Sequence, residues 1–484
     1  MSLKRDNYYQ IGIVVKSLFL VALMLDAIPF LYDRYGGYVK IILMLCLIYL
    51  GVGILIGRNT LRSKYIILHL MFAGAYLITI IINRESYLTE NMKQLIYMVM
   101  VFLLFYGYDS RNGIQKEISE FRMITYIYEV LAFIFACACL FTYFLRIDLT
   151  YFIGESQLQI GMYDNRLWGL YNPNTGAGLA MTALYISLYN ILREDRPVCI
   201  ILHVISLIVE TVVLILSGSR APLVLSFAGV FYMVGVSFWK NIRGRNRKPS
   251  KSSIRCLISV ALIFACLFMT KTVIADLPGK IISNESTHAV REKCVNSWSE
   301  FLGIEKKENK KKTESDLKGR VDLTRKEKEE ERPGGILTGR TDLWQSGVQS
   351  FMRHPVWGVG REGIYDACEP FLEDKTWQGS LYYGGLHNVF LTILVSSGLV
   401  GMIIMTIFLI FVFVLVIQSM FERRIQLRIP EFNLCLVFFL SMGCVEMLEA
   451  RILYRIGIFV PLFWMFTGRL VCLCDLDEKE RNGA

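Results

Sequence analysis

Residues 211–227 read TVVLILSGSRAPLVLSF. Two apolar runs meet at a four-residue break, Ser217 to Arg220, and the break holds a permanent cation. Each run extends outward to near the ~20 residues needed to cross ~30 Å of hydrocarbon. The stretch therefore reads as two membrane spans joined by a short turn, with an arginine at the turn.

The rest of the 484-residue chain repeats this pattern. Hydrophobic residues make up 54% and charged residues 19%, against roughly 25% charged in an average soluble protein. Twelve spans are expected, near 11–31, 39–56, 65–82, 95–108, 124–145, 175–192, 198–217, 221–239, 255–275, 398–417, 432–449 and 453–473. The expected fold is an all-α polytopic membrane protein. Residues 1–275 hold spans one to nine, and 276–386 form a large extracytoplasmic loop with short helices. Residues 387–474 hold an outer helix and spans ten to twelve, and 475–484 form a cytoplasmic tail. The first apolar run is long enough to remain as a span, so no cleaved leader is expected.

The net charge of +10 would suggest nucleic acid in a soluble chain. Here the basic residues sit in short loops. Lys4 and Arg5, GRNTLRSK after span two, KNIRGRNRKPSKSSIR after span eight and ERRIQLR after span ten all fall on one side. That side should be the cytoplasm. Both termini are then inside, and the Arg220 break and the long loop face out. The twelve cysteines lie mostly in apolar runs, for example Cys137, Cys139, Cys266 and Cys435. They form no zinc-like spacing, so neither a disulfide framework nor a metal site is expected.

Within the long loop, 305–332 holds eleven basic, nine acidic and three aliphatic residues. Such a segment cannot bury enough apolar surface to offset the entropy of ordering. It reads as a solvated, loosely ordered insertion, or as a docking tail. After it, GRTDLWQSGVQSFMRHP places Trp344, Val348, Phe351 and Met352 on one helix face, and Arg340 four residues before Trp344 on that same face. Pro355 ends the helix near His354. In GGLHNVFLTILVSSGLVG, His387 opens a helix running into span ten.

Arg220, Arg340 and His387 are thus expected at one outer cleft. Two arginines suit a pyrophosphate, because the guanidinium fork binds phosphate oxygens bidentately. A neutral imidazole suits activation of a hydroxyl. Taken singly, each has a plainer reading: a snorkelling anchor, a helix-end cation, a structural histidine.

Other polar residues are weaker candidates for substrate contact. Asn172 and Asn174 flank Pro173 at the start of span six and serve either sugar hydroxyls or a turn. Trp344 is a candidate for substrate contact, and the outer-loop aromatics Trp357, Trp377, Tyr382 and Tyr383 serve either sugar stacking or interface anchoring. Glu446 and Glu449 lie one turn apart, with Arg451 following; they supply an alternative base, contact acceptor sugar, or form a satisfied ion-pair cluster. His203 and Glu210 share a face of span seven and read as a buried pair.

At these residues the chain resembles the O-antigen ligase and bacterial polysaccharide polymerase superfamily. The resemblance rests on GLYNPNTGAGLA (169–180), SGSRAPL (217–223), GRTDLW (339–344), FMRHPVWGVG (351–360) and GLHNVFLTILVSSGLVG (385–401). It covers roughly 169–405. It implies a helical glycosyltransferase of the GT-C group in the bacterial cytoplasmic (inner) membrane, acting on its outer face. The implied partners are an undecaprenyl-diphosphate-linked oligosaccharide donor and acceptor and membrane lipids, with a flippase and a chain-length regulator alongside; no nucleic acid is implied. Arg220 and Arg340 would hold the donor diphosphate and His387 would assist the acceptor hydroxyl. No cofactor and no metal are expected. Polymerase is the favoured activity. Ligation of the glycan to lipid A core or protein is the alternative, and transport of the same lipid-linked sugar is a further one. The charged insertion departs from the family pattern.

Overall fold

A computed structural model describes residues 2–56, 60–153, 156–243, 251–304, 317, 319–323 and 340–481. A helix occupies each expected span: Ser2–Asp26, Gly37–Leu55, Ile66–Ile82, Leu88–Val101, Gly113–Phe144, Pro173–Arg193, Pro197–Leu216, Arg220–Arg243, Lys251–Met269, Val389–Phe421, Pro430–Glu446 and Phe459–Arg481. Three of them start on proline, whose missing N–H costs nothing in a first turn. Among the described residues, nine stretches are long and apolar enough to cross a membrane, against twelve expected. Ile66–Ile82 and Pro430–Glu446 have 17 residues each. The fourth and fifth expected spans fall within one apolar stretch, Leu88–Phe144.

The chain divides into two compact units. The first comprises Met1–Leu20, Lys40–Met123 and Lys328–Ala484; the second comprises Val21–Val39 and Ile124–Glu327.

The first unit is built around Phe459–Arg481, which is buried as far as Asp477. Its Trp464 meets His69 and Phe102 edge-on and Phe408 at a tilt. This helix therefore runs past the expected end of span twelve into what the sequence suggested was a tail. Inside this unit Arg469 pairs with Glu117 and Arg122 with Glu431, which offsets the cost of burying these charges.

Val389–Phe421 is two helices joined at Gly398, whose φ of 62° and ψ of −165° break the ladder. The break frees backbone groups, and residues 355–360 take them up. Val359 N–H donates to the Val395 carbonyl at 2.9 Å and Gly360 N–H to that of Ser396 at 3.0 Å. In return Leu399 N–H donates to the Pro355 carbonyl at 2.8 Å. Gly358 and Gly398 permit this approach: a Cβ on either would run into the other strand's backbone. Thr79 and Asn83 hold the same loop from another side, donating to the Trp357 and Gly358 carbonyls at 2.6 and 3.1 Å.

The fold is helical as expected, and among the described residues its one small sheet lies in the second unit. Leu149–Ile153, Ser156–Tyr163 and Arg166–Gly169 form a three-stranded antiparallel meander, β1 to β3. Alternation explains it: Leu149, Tyr151 and Ile160 are buried, while Thr150, Phe152 and Gln157 point to the other face. Of the charged insertion, 305–316, 318 and 324–332 lie outside the described residues. Its middle packs, however: Val321 N–H donates to the Ala275 carbonyl at 2.9 Å, Arg146 holds the Gly319 carbonyl, and Asn165 donates to Asp322 at 3.1 Å. This is the part of the insertion that carries its three aliphatic residues. The expected His203–Glu210 pair is also replaced. His203 bonds Glu129 at 2.9 Å, and Glu129 further accepts from Ser187 and Asn190.

Candidate active site

In the first unit, Arg340 begins the Arg340–Arg353 helix. The buried face of this helix is not the expected Trp344, Val348, Phe351, Met352 stripe. Leu343, Ser346, Gly347 and Ser350 are buried, while Val348 and Met352 are exposed. The small residues let the helix lie close to Leu386 and Leu391; a Cβ on Gly347 would stand 2.9 Å from Leu391 and 3.0 Å from Leu386. Trp344 packs on this apolar cluster and donates its indole N–H to the Leu386 carbonyl at 3.0 Å. That bond pins the residue before His387, so Trp344 braces the site.

His387 does not open the following helix. Asn388 is its N-cap, accepting from Leu391 N–H at 3.0 Å. His387 precedes the cap with a left-handed backbone, φ 48°. Its ring lies over Gly384, where any Cβ would collide with it. The glycines of GGLH thus make room for the imidazole.

Three groups meet at Glu449. His387 Nδ1 lies 3.2 Å from Glu449 Oε2, and Arg340 Nη2 donates to Oε1 at 3.2 Å. Burial pushes the Glu449 carboxyl up, but the His387 hydrogen bond and the charges of Arg451, His387 and Arg340 outweigh it and hold the pKa at about 2. An ionised carboxylate accepts only, so the Nδ1 proton points at it, and in the neutral form of the ring Nε2 is the acceptor. Ser380 Oγ lies 3.1 Å from Nε2 and donates to it. A hydroxyl, an imidazole and a carboxylate therefore form one relay, with the imidazole oriented from behind.

The surroundings are cationic. Arg451 is tied to fully buried Glu446 at 3.1 Å and stacks 4.3 Å above Phe459. Arg455 feels the charges of Arg361 and Arg451 on one side and of Glu449 and Glu446 on the other. Arg361 also borders Gly385, two residues before His387. With Arg340, four arginines stand beside three carboxylates, Glu446, Glu449 and the Glu362 next to Arg361, an excess of positive charge that suits an anion. The sequence reading passed over Ser380 and Arg361, whereas Arg455 follows the Glu446–Glu449 pair that it singled out. Arg361 directly follows the quoted HPVWGVG stretch, and its glycine flanks were the available signal.

The second unit holds the other candidates. Asn172 caps the Pro173–Arg193 helix, accepting from Asn174 N–H at 2.9 Å. Asn174 Oδ1 accepts from Arg166 at 2.9 Å and from Ser219 at 2.7 Å, and Arg166 Nε donates to the Ser217 carbonyl at 2.8 Å. Both asparagines are thus committed to holding the SGSR turn, with Gly218 at φ 64°. The turn presents exposed Arg220 to a cavity of about 720 Å³ that Lys271 and Arg320 also line. Arg340, His387 and Glu449 are brought together within one unit; Arg220 belongs to the other.

Residues 204–406 match the O-antigen ligase family. This range contains Arg220, Arg340, Ser380 and His387. The chain is also similar to the exopolysaccharide production protein ExoQ of Rhizobium meliloti (strain 1021), 35% identical over 83 residues. That stretch is 16% of this chain and 18% of the relative, so the similarity spans under a fifth of either. With its apolar helices, the chain has the character of an integral membrane protein, and residues 204–406 of it are similar to the O-antigen ligase family.

Proposed function

We propose that the protein is an inverting, metal-independent polysaccharide polymerase. It joins undecaprenyl-diphosphate-linked repeat units on the outer face of the bacterial cytoplasmic membrane, with both termini inside. The observation that carries this reading is the Ser380–His387–Glu449 relay set among four arginines. An acceptor hydroxyl takes the place of the Ser380 hydroxyl and gives its proton to His387 Nε2. The hydroxyl oxygen attacks the anomeric carbon of the donor sugar from the face opposite the phosphate. The carbon–oxygen bond to the diphosphate breaks, and its electron pair leaves with the diphosphate. Arg340 and its neighbours meet the charge that develops there, a kind of contribution that often dominates catalysis. Glu449 keeps the Nδ1 proton in place and stabilises the imidazolium, whose extra proton then passes to water. Arg220, in the second unit, is assigned to substrate phosphate by its motif.

The printed name of the relative, an exopolysaccharide production protein, favours polymer extension. The family's own description favours ligation as the second reading. Transport of the lipid-linked sugar would not call for an oriented imidazole. The lipid-linked glycan profile of a strain lacking the gene separates these readings. Accumulated single repeat units mean polymerase. Accumulated full-length polymer on lipid means ligase. An unchanged profile overturns both.

A further inference from the structure

A second cavity, of about 650 Å³, lies on the β-meander. This volume falls in the range of sites that enclose a small organic ligand, roughly 300–1,000 Å³. The sheet faces are sharply unlike. Leu149, Tyr151 and Ile160 fill one face and are at most 4% exposed. The other face carries Thr150 and Phe152 on β1 opposite Gln159 and Gln157 on β2, and these four line the cavity. Thr150 donates to Gln159 Oε1 at 2.7 Å, which fixes that amide.

Phe152 breaks the alternation rule. A large apolar ring on the polar face of a half-buried strand gains nothing from folding, and it is 52% exposed. Tyr163, 39% exposed, lines the same cavity and has Trp168 edge-on behind it at 5.9 Å. Amides and carboxylates offer paired acceptors and donors to neighbouring hydroxyls. Exposed aromatic faces offer a flat apolar surface. A sugar ring has that same duality, with hydroxyls around its edge and C–H bonds on its faces. Neither a purely apolar nor a purely ionic ligand matches both halves.

The cavity also has a charged neighbour. Arg320, Val321 and Asp322 line it, and they line the cavity at Arg220 and Lys271 as well. One strip of chain thus borders a polar-aromatic groove on one side and a cationic pocket on the other. Such a pair fits a single ligand with a glycan at one end and phosphate at the other.

We infer that the polar face of the β-meander is a saccharide-binding groove for the glycan of the lipid-linked substrate, with its phosphate end directed to Arg220, Lys271 and Arg320. This rests on the proposed function. It also gives the middle of the charged insertion a role, as the wall between the two halves of the ligand.

The test is binding to the full chain in lipid nanodiscs by saturation-transfer NMR and calorimetry. The probes are oligosaccharides from partial acid hydrolysis of the producing strain's polysaccharide and, separately, inorganic pyrophosphate. Phe152→Leu and Gln157→Ala change exposed side chains, and monodisperse elution checks their folding. Both variants should weaken oligosaccharide binding at least tenfold and leave pyrophosphate binding unchanged. Variants that bind the oligosaccharide like the wild type overturn the groove and leave the proposed function standing. A wild type that binds no oligosaccharide also overturns the groove. If the gene's deletion in addition leaves the lipid-linked glycans unchanged, the functional reading fails with it.

Discussion

Replacing Gly384 with alanine tests the working position of His387 without touching the imidazole. A Cβ at residue 384 would stand 2.6 Å from His387 Cε1 and closer still to Nε2, whereas ordinary contact begins at 3.4 Å. The ring must retreat by about 0.8 Å or more. It is held from behind by Glu449 at 3.2 Å, so retreat means tilting Nε2 off its line to the hydroxyl. Misplacement of a catalytic group by about 1 Å costs about 10²-fold in rate. The fold should not suffer. Gly384 lies in a helix outside the left-handed region, so alanine adds no backbone strain there and the strain falls on the His387 ring. The assay is transfer of labelled lipid-linked repeat units in nanodiscs, beside thermal unfolding of the same sample. A rate about 10²-fold down at unchanged melting temperature is expected. Wild-type turnover by a folded Gly384→Ala protein would refute the assignment of His387 as proton acceptor.

Ser380→Ala should retain activity to within about threefold, since the acceptor hydroxyl replaces the serine; a loss of 10³-fold or more, with labelling of the wild type by a fluorophosphonate, would make Ser380 a nucleophile. Arg220→Lys should lose at least tenfold in transfer rate at matched membrane level, because an ammonium gives up a charge-assisted hydrogen bond worth about 1.5–3 kcal/mol; wild-type polymer length would make Arg220 a mere anchor. Glu449 has a folded pKa of about 2 against 4.5 for the free group, so its stabilisation is fully present above pH ~4.5 and is lost as pH falls through ~2. The melting-temperature gap between wild type and Glu449→Gln should accordingly stay constant from pH 7 to 5 and narrow below 4.5; a gap that instead closes between pH 7 and 6 contradicts a buried, ionised carboxylate.

The helices and the reacting residues were legible for different reasons. Apolar runs report membrane spans directly, because hydrocarbon demands length and composition and little else. Arg340 and His387 stood out through their glycine- and proline-rich surroundings. Their meeting at Glu449 was not readable. Glu449 lies 62 residues beyond His387, and nothing local marks which of two neighbouring glutamates turns toward it. The Arg340 helix misled because its apolar stripe was assumed to be its buried face, whereas Gly347 and its serines buy closer packing. The meander escaped notice because its alternation runs for a few residues between two long apolar stretches, and Phe152 disturbs even that.

The broken helix at Gly398 has a consequence for how such enzymes can be recombined. Residues 355–360 and 395–400 complete each other's main-chain bonding across about forty positions of sequence. An exchange of the outer segment between relatives that carries one stretch without the other leaves amides and carbonyls facing hydrocarbon or a mismatched backbone, each at a cost of several kcal/mol. The unit of inheritance is therefore the interlocked pair. Chimeras cut between residues 360 and 395 should fail to accumulate in the membrane, while those cut before 355 and after 400 should assemble and carry their donor's specificity with them.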